Sequence, residues 1–102
     1  MLECSVIILN WNGEALLRRY LPSVIQYTQL EGVEIVVAGN GSTDASLEFL
    51  HSQPVRIIEL GENLGFAEGY NRAIEQVESK YVVLLNSDVE VTSNWLDTLL
   101  NY

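Results

Sequence analysis

Asn86-Ser87-Asp88 sets an amide oxygen and a carboxylate two positions apart, directly after the apolar run at 81–85. Such a pair at the end of a buried strand suits a hard cation, Mg2+ or Mn2+, bridging to a diphosphate. The same three residues also suit an ordinary strand-end turn. Three more segments of similar make-up follow apolar runs: Asn10-Trp11-Asn12-Gly13, Gly39-Asn40-Gly41-Ser42-Thr43-Asp44 and residues 61–65. Each alone satisfies turn preferences, but all four would meet on one rim if the runs before them were parallel strands. Other chemistries lack support. His51, the only histidine, reads as an exposed residue at the end of a short helix, which leaves no Ser-His-Asp triad. Neither G-x-G-x-x-G after the first strand nor G-x-x-x-x-G-K-[ST] is present, so dinucleotide binding and P-loop chemistry are disfavoured.

The elements that must position these segments follow from the apolar pattern. Val6-Ile7-Ile8-Leu9, residues 34–38 and residues 81–85 are short apolar runs of the kind buried on both faces of a parallel sheet, and residues 55–60, introduced by Pro54, read as a third strand. Between them, residues 14–27 repeat apolar side chains at helical spacing, with Pro22 expected to kink or split the helix. Asn12 is expected to cap that helix, which begins at Asn12 or Gly13. A second helix is expected over 45–52, capped by Ser42, Thr43 or Asp44. A third carries Phe66, Ala67, Tyr70, Ala73, Ile74 and Val77 on one stripe. A fourth, capped by Thr92 or Ser93, carries Trp95, Leu96, Leu99 and Leu100. Residues 89–91 read as a short extended piece.

The alternation β-α-β-α-β-α-β-α predicts an α/β fold, a Rossmann-like parallel sheet flanked by helices on both faces. The near-uniform apolarity of Val6–Leu9 places that strand centrally, and the strand at 81–85 is expected to be an exposed edge open to self-association. Trp11 is expected either at the cleft or packed half-buried on its strand end.

Composition narrows the partners. The chain has 102 residues, 48% of them hydrophobic and 19% charged, the balance of one folded domain spanning 1–102. Fourteen Asp+Glu against five Lys+Arg give a net charge of −9. The cations Arg18, Arg19, Arg56, Arg72 and Lys80 are scattered along the chain, which argues against a nucleic-acid partner. No apolar run approaches the length of a membrane span, and no positively charged start precedes an apolar stretch, so no signal peptide is expected. Cys4 is the only cysteine, excluding an internal disulfide or cysteine-zinc site. The expected location is cytoplasmic, at most peripheral to the inner membrane face. Asn40-Gly41-Ser42 matches a glycosylation sequon by chance.

Four segments in register, Ser5-Val-Ile-Ile-Leu-Asn-Trp-Asn-Gly13, Glu34-Ile-Val-Val-Ala-Gly-Asn-Gly-Ser-Thr-Asp44, Asn63-Leu-Gly-Phe-Ala-Glu-Gly-Tyr-Asn71 and Tyr81-Val-Val-Leu-Leu-Asn-Ser-Asp88, resemble the ordered motifs of the family 2 glycosyltransferases. The resemblance covers essentially the whole chain. Together with the central place of Val6–Leu9 it implies the strand order 3-2-1-4, and it implies the GT-A fold, transfer of sugar from a nucleotide diphosphate sugar, and a divalent metal. It also implies a carbohydrate or lipid-linked acceptor, and polysaccharide biosynthesis. The variants Asn-Leu-Gly-Phe-Ala and Leu-Leu-Asn-x-Asp look like the rhamnosyltransferase-like branch.

By position, the resemblance implies that Leu9, Asn10 and Asn12 line the base and ribose pocket. The segment Gly39–Asp44, with Gly39 and Asn40 foremost, would contact the nucleoside, and Asn63 and Gly65 would border the nucleotide. Asn86, Ser87 and Asp88 would occupy the D-x-D place, with Asp88 the foremost metal ligand and Asn86 a second. Three departures stand out. The family usually carries a base-binding Asp where this chain has Gly39. Asn86 replaces the first carboxylate, as in N-x-D members. Tyr70 stands where many members carry Arg, with Arg72 two residues on. The family's acceptor half and general base follow the D-x-D, and this chain stops fourteen residues past Asp88. The expectation is therefore the truncated, nucleotide-binding half of the domain. The alternative is a non-catalytic nucleotide-sugar-binding or interaction module. A nucleotidyltransferase of similar build is disfavoured by the lack of a Gly- and Arg-rich loop after the first strand.

Overall fold

Five consecutive residues with no polar requirement beyond a hydroxyl, Cys4 to Ile8, are all buried in the middle of β1 (Leu2–Asn10). A strand buried on both faces must lie inside a sheet, and β1 does. The computed structural model describes residues 2–100. Its four parallel strands, β1, β2 (Val33–Gly39), β3 (Arg56–Glu59) and β4 (Ser79–Leu85), run in the order β3-β2-β1-β4, as expected from the apolar first strand and the family resemblance together. β1 starts earlier than its apolar run. Glu3 and Cys4 donate backbone N–H groups to the Gly32 carbonyl, and the buried Ser5 hydroxyl donates to Glu34.

Side-chain alternation sorts the helices. Ile7, Val36, Ala38 and Ile58 face α3 (Phe66–Ile74) and pack with its Tyr70 and Ala73. On the other face, Ile8 and Val37 meet Leu17, Leu21 and Val24 of α1 (Glu14–Gln26) and Leu50 of α2 (Ser46–His51). Beside them, Cys4 and Val6 meet Leu96 of α4 (Trp95–Leu100). The fold is α/β, with one helix on one face and three on the other.

Several local expectations are corrected. Pro22 does not split α1, because its missing N–H falls on the exposed side while Leu21 and Val24 stay buried; the Ser23 hydroxyl donates back to the Tyr20 carbonyl one turn earlier. α3 stops at Ile74, and the tighter bonds Gln76 N–H to Ala73 and Val77 N–H to Ile74 still bring Val77 onto the core. Residues 89–91 join no ladder; the Val91 N–H donates to the Ser23 hydroxyl instead. Trp95 N–H reaches the Thr92 carbonyl rather than a capping side chain. β4 is an edge, with Tyr81, Val82 and Leu84 exposed.

Candidate functional site

The carboxyl ends of the parallel strands form one rim, and its first half is stitched from two loops. Asn10 is buried at the end of β1. Its side-chain NH2 donates to the Ser42 hydroxyl at 3.1 Å and the Ser46 hydroxyl at 3.0 Å, and its Oδ1 accepts the Gly13 N–H at 3.0 Å. Asn12 sits in the left-handed region with φ 48°. Its Oδ1 accepts the N–H groups of Thr43 at 2.7 Å and Asp44 at 3.2 Å. Asn12 therefore does not cap α1: its side chain is spent on the next loop, and Gly13 is the N-cap. The cap comes from that loop in return. Asp44 accepts the Glu14 N–H on one carboxylate oxygen at 3.1 Å and the Ser46 N–H on the other at 3.0 Å. The Ser46 hydroxyl also bonds Asp44 and, ahead of these N–H groups, holds its carboxyl below the ordinary carboxylate value.

The second half hangs on Asn40. This buried amide donates to Asn63 Oδ1 and the Gly65 carbonyl, both at 3.2 Å, and accepts the Leu64 N–H at 2.9 Å. The loop before α3 is thereby pinned to the end of β2. Gly69 lets α3 approach, since a Cβ there would lie 2.9 Å from Leu9 and 3.2 Å from Asn40. Asn40 has no exposed amide to offer a glycan, which fits the reading of its sequon as chance.

Between these halves opens a cleft of about 430 Å³. Leu9 and Trp11 line it from β1 and the loop beyond, and Asn40, Asn63 and Gly65 from the pinned loop. Asn86, Ser87 and Asp88 line it from the end of β4. The structure thus brings together Leu9, Asn40, Asn63, Gly65, Asn86, Ser87 and Asp88. It does not bring Asn10, Asn12, Gly39 or residues 41–44 into the cleft, for Asn10, Asn12, Ser42, Thr43 and Asp44 are consumed by the stitching. Gly39 points elsewhere: a Cβ built on it would meet the Glu59 carboxylate of β3 at 2.5 Å. The side chain that turns to the cleft from the end of β2 is Asn40, one residue on. Of the two places open to Trp11, the cleft is the one observed, with 55% of the residue exposed.

The sequence pattern missed Leu16, Phe66 and Tyr70 as cleft residues. All three lie on apolar helical stripes and read as core. Phe66 is 66% exposed and meets Tyr70 edge-on at 4.9 Å between ring centroids. The signal for Phe66 was its place as the first helical residue after Gly65, at the strand-end rim.

No cation lines the cleft among the described residues, and Arg18, Arg56 and Arg72 pair with Glu14, Glu34 and Glu68. Nor do the described residues hold a group of three or more His, Cys, Asp or Glu able to enclose a metal. The donor set present, one exposed carboxylate with an amide oxygen beside it, still fits Mg2+ or Mn2+, which commonly take one or two carboxylates and complete their shell with water and substrate phosphates. Asp88 and Asn86 would hold it.

A family model described as glycosyl transferase family 2 matches residues 5–102. The chain belongs to that family. Family 2 relatives include glycosyltransferase GlyA of Streptococcus pneumoniae, 33% identical over 101 residues, covering 95% of this chain and 14% of the relative. The teichoic acid poly(glycerol phosphate) polymerase of Staphylococcus epidermidis is 29% identical over 99 residues, covering 91% of this chain and again 14% of the relative. Among solved structures, S. aureus TarS 1-349 in complex with UDP-GlcNAc superposes with a TM-score of 0.85 at 24% identity, over 97% of this chain and 30% of that one. The Pyrobaculum calidifontis mannosyltransferase PcManGT in complex with GDP-Man and Mn2+ gives 0.80 at 23% identity, over 97% and 30%. The GT-A fold is common to them and to this family 2 chain, which spans less than a third of either solved chain.

Proposed function

We propose that this chain is the donor-binding part of a glycosyltransferase that moves a sugar from a nucleotide diphosphate sugar to an acceptor hydroxyl. The observation that carries it is the convergence of Asn40, Asn63, Gly65 and Asn86–Asp88 on one cleft at the carboxyl ends of parallel strands. The cleft offers apolar surface for a base from Leu9, Leu16, Trp11 and Phe66. It offers one anionic corner at Asp88, on a chain of net charge −9. A diphosphate therefore needs a local cation. When bound, Mg2+ or Mn2+ would neutralise the charge of the leaving diphosphate, and Asp88 and Asn86 would hold the ion. The relatives' bound UDP-GlcNAc and GDP-Man with Mn2+ support this reading.

The acceptor is a carbohydrate or a lipid-linked sugar, in polysaccharide biosynthesis of the rhamnosyltransferase-like branch, at the cytoplasmic side of the membrane. The edge of β4 offers unpaired backbone to a second copy, and light scattering at high concentration decides whether it is taken. A second reading, a non-catalytic nucleotide-sugar-binding module, is favoured by one observation: among the described lining residues Asp88 is the sole carboxylate, so no second acid stands ready as general base.

Calorimetric titration of UDP and dTDP, with and without Mn2+, tests the site on wild type, Asp88→Asn and Asn86→Asp. Wild type binds with Mn2+ at micromolar to millimolar affinity, Asp88→Asn loses the metal dependence, and Asn86→Asp strengthens it. Equal binding by Asp88→Asn, with the same metal dependence, overturns the assignment. Nucleotide-sugar hydrolysis measured beside binding separates the enzyme from the binding module.

A further inference from the structure

Tyr70 is almost fully buried, at 3% exposure, yet its hydroxyl has two backbone partners on different strands. It accepts the Leu9 N–H of β1 at 3.4 Å and donates to the Leu85 carbonyl of β4 at 3.0 Å. The place is specific. β1 and β4 are in register from Leu2 and Ser79 up to Ile8 and Leu85, and there their pairing ends, while β1 runs on beside β2 to Asn10 and Gly39. The phenol stands at the fork. On one side of it Leu9 leads to Trp11; on the other Leu85 leads directly to Asn86, Ser87 and Asp88. Both branches line the cleft, and so does Tyr70.

We propose that Tyr70 is a positioning residue: its hydroxyl spaces the ends of β1 and β4 and aims the Asn86–Asp88 turn at the cleft. The bearing of this on metal binding rests on the function proposed above. A phenol suits the task because one O–H supplies both a donor and an acceptor, so it satisfies a strand N–H and a strand C=O that have parted. Burial pushes the phenol above its ordinary value, in the sense that favours the protonated, donating form. The ring is fixed by α3, whose close approach Gly69 permits, and by the edge of Phe66. An arginine in this place could donate to Leu85 but has no acceptor for the Leu9 N–H.

Tyr70→Phe keeps the ring and removes only the bridge. The test uses the isotope-labelled 102-residue chain and amide NMR. The amides of Leu9 and of Asn86, Ser87 and Asp88 shift, and Leu9 exchanges faster, while the paired positions Val6 and Val83 stay in place. Titration with Mn2+ alone then broadens the Asp88 amide at a midpoint raised about fivefold over wild type, the ratio expected when the net worth of one of the two lost hydrogen bonds, that to Leu85, falls on the turn. Unmoved Asn86–Asp88 amides with an unchanged Mn2+ midpoint overturn the proposal. Should wild-type Asp88 not be broadened at all, the metal reading fails, and the amide shifts alone decide the role of Tyr70. If Tyr70→Phe does not fold, wild type still answers: a slowly exchanging Tyr70 hydroxyl proton close to the Leu9 amide is expected, and its absence overturns the bridge.

Discussion

The side-chain amide of Asn40 donates to the side-chain oxygen of Asn63 across 3.2 Å, and this bond joins the end of β2 to the loop that opens α3. Asn40→Asp keeps the acceptor for the Leu64 N–H but turns a carboxylate toward Asn63 Oδ1 and the Gly65 carbonyl. Loss of both donations in a buried site costs about 1–3 kcal/mol. Urea denaturation reads the cost, and nucleotide affinity falls with it as the loop is released. An Asn40→Asp chain of wild-type stability contradicts the pinning role.

Gly39 and Glu59 share one space. Gly39→Ala drives a methyl into the Glu59 carboxylate, which must swing out and release the Gly61 N–H it holds at 3.1 Å. Since Glu59 is exposed and its end is flexible, the loss is modest, about 1 kcal/mol. Glu59→Ala in the same chain relieves the clash, so the double variant is more stable than the sum of the single effects requires. A double-mutant cycle by chemical denaturation measures that coupling; strict additivity shows that the two residues do not compete.

Asp44 gives the fold an acid-sensitive joint. Its folded value lies below the ordinary 3.8, so the unfolded chain binds the proton first as pH falls. The stability it adds is complete above that ordinary value and is lost as pH drops through the folded one. Asp44→Asn flattens the acid limb of stability against pH in this window and lowers stability near neutrality, since one helix start loses its charged acceptor. Thermal unfolding between pH 2.5 and 7 checks both limbs.

Trp11 reports on the cleft. In a Trp95→Phe background, its fluorescence changes on titration with a nucleotide diphosphate, because Trp11 is exposed and lines the cleft. Trp95 is a sound residue to remove from the signal: it is partly buried and bonded to Thr28 at 3.0 Å, on the far side of the sheet from α3. Saturation with a nucleotide shown to bind by calorimetry, without any change in Trp11 emission, places the ligand away from this ring.

The sheet was legible because β1, β2 and β4 carry apolar runs and every strand ends in a polar segment; β3, interrupted by Arg56 and Glu59, was the weakest signal, and strand order needed the family resemblance beside the uniform apolarity of β1. Helix limits were less so. Pro22 reads as a break in any one-dimensional pattern, and only the burial of Leu21 and Val24 beside it shows that the break faces water. In the site, Asn86–Asp88 and Asn63 could be placed because a strand end determines where they emerge. Asn10 and Asn12 could not be told from ligand-facing residues, since an amide that reads a base and an amide that ties two loops have the same sequence signature. Gly39 was misread in the opposite sense. Its missing side chain looked like a lost contact in the cleft, whereas the pleat turns that position toward Glu59.

The stitched half of the rim carries a consequence for how the protein is assembled. The bonds from Asn10, Asn12 and Glu14 to Ser42, Thr43, Asp44 and Ser46 join residues 30 to 36 positions apart. None can form until β1 and β2 have found their register, because loop closure over that distance is unfavourable without the sheet to hold it. The stitching is therefore expected to form late in folding rather than in its nucleus. Substitutions in it are expected to hasten unfolding and leave the rate of folding nearly untouched, which the two arms of a denaturant chevron measure.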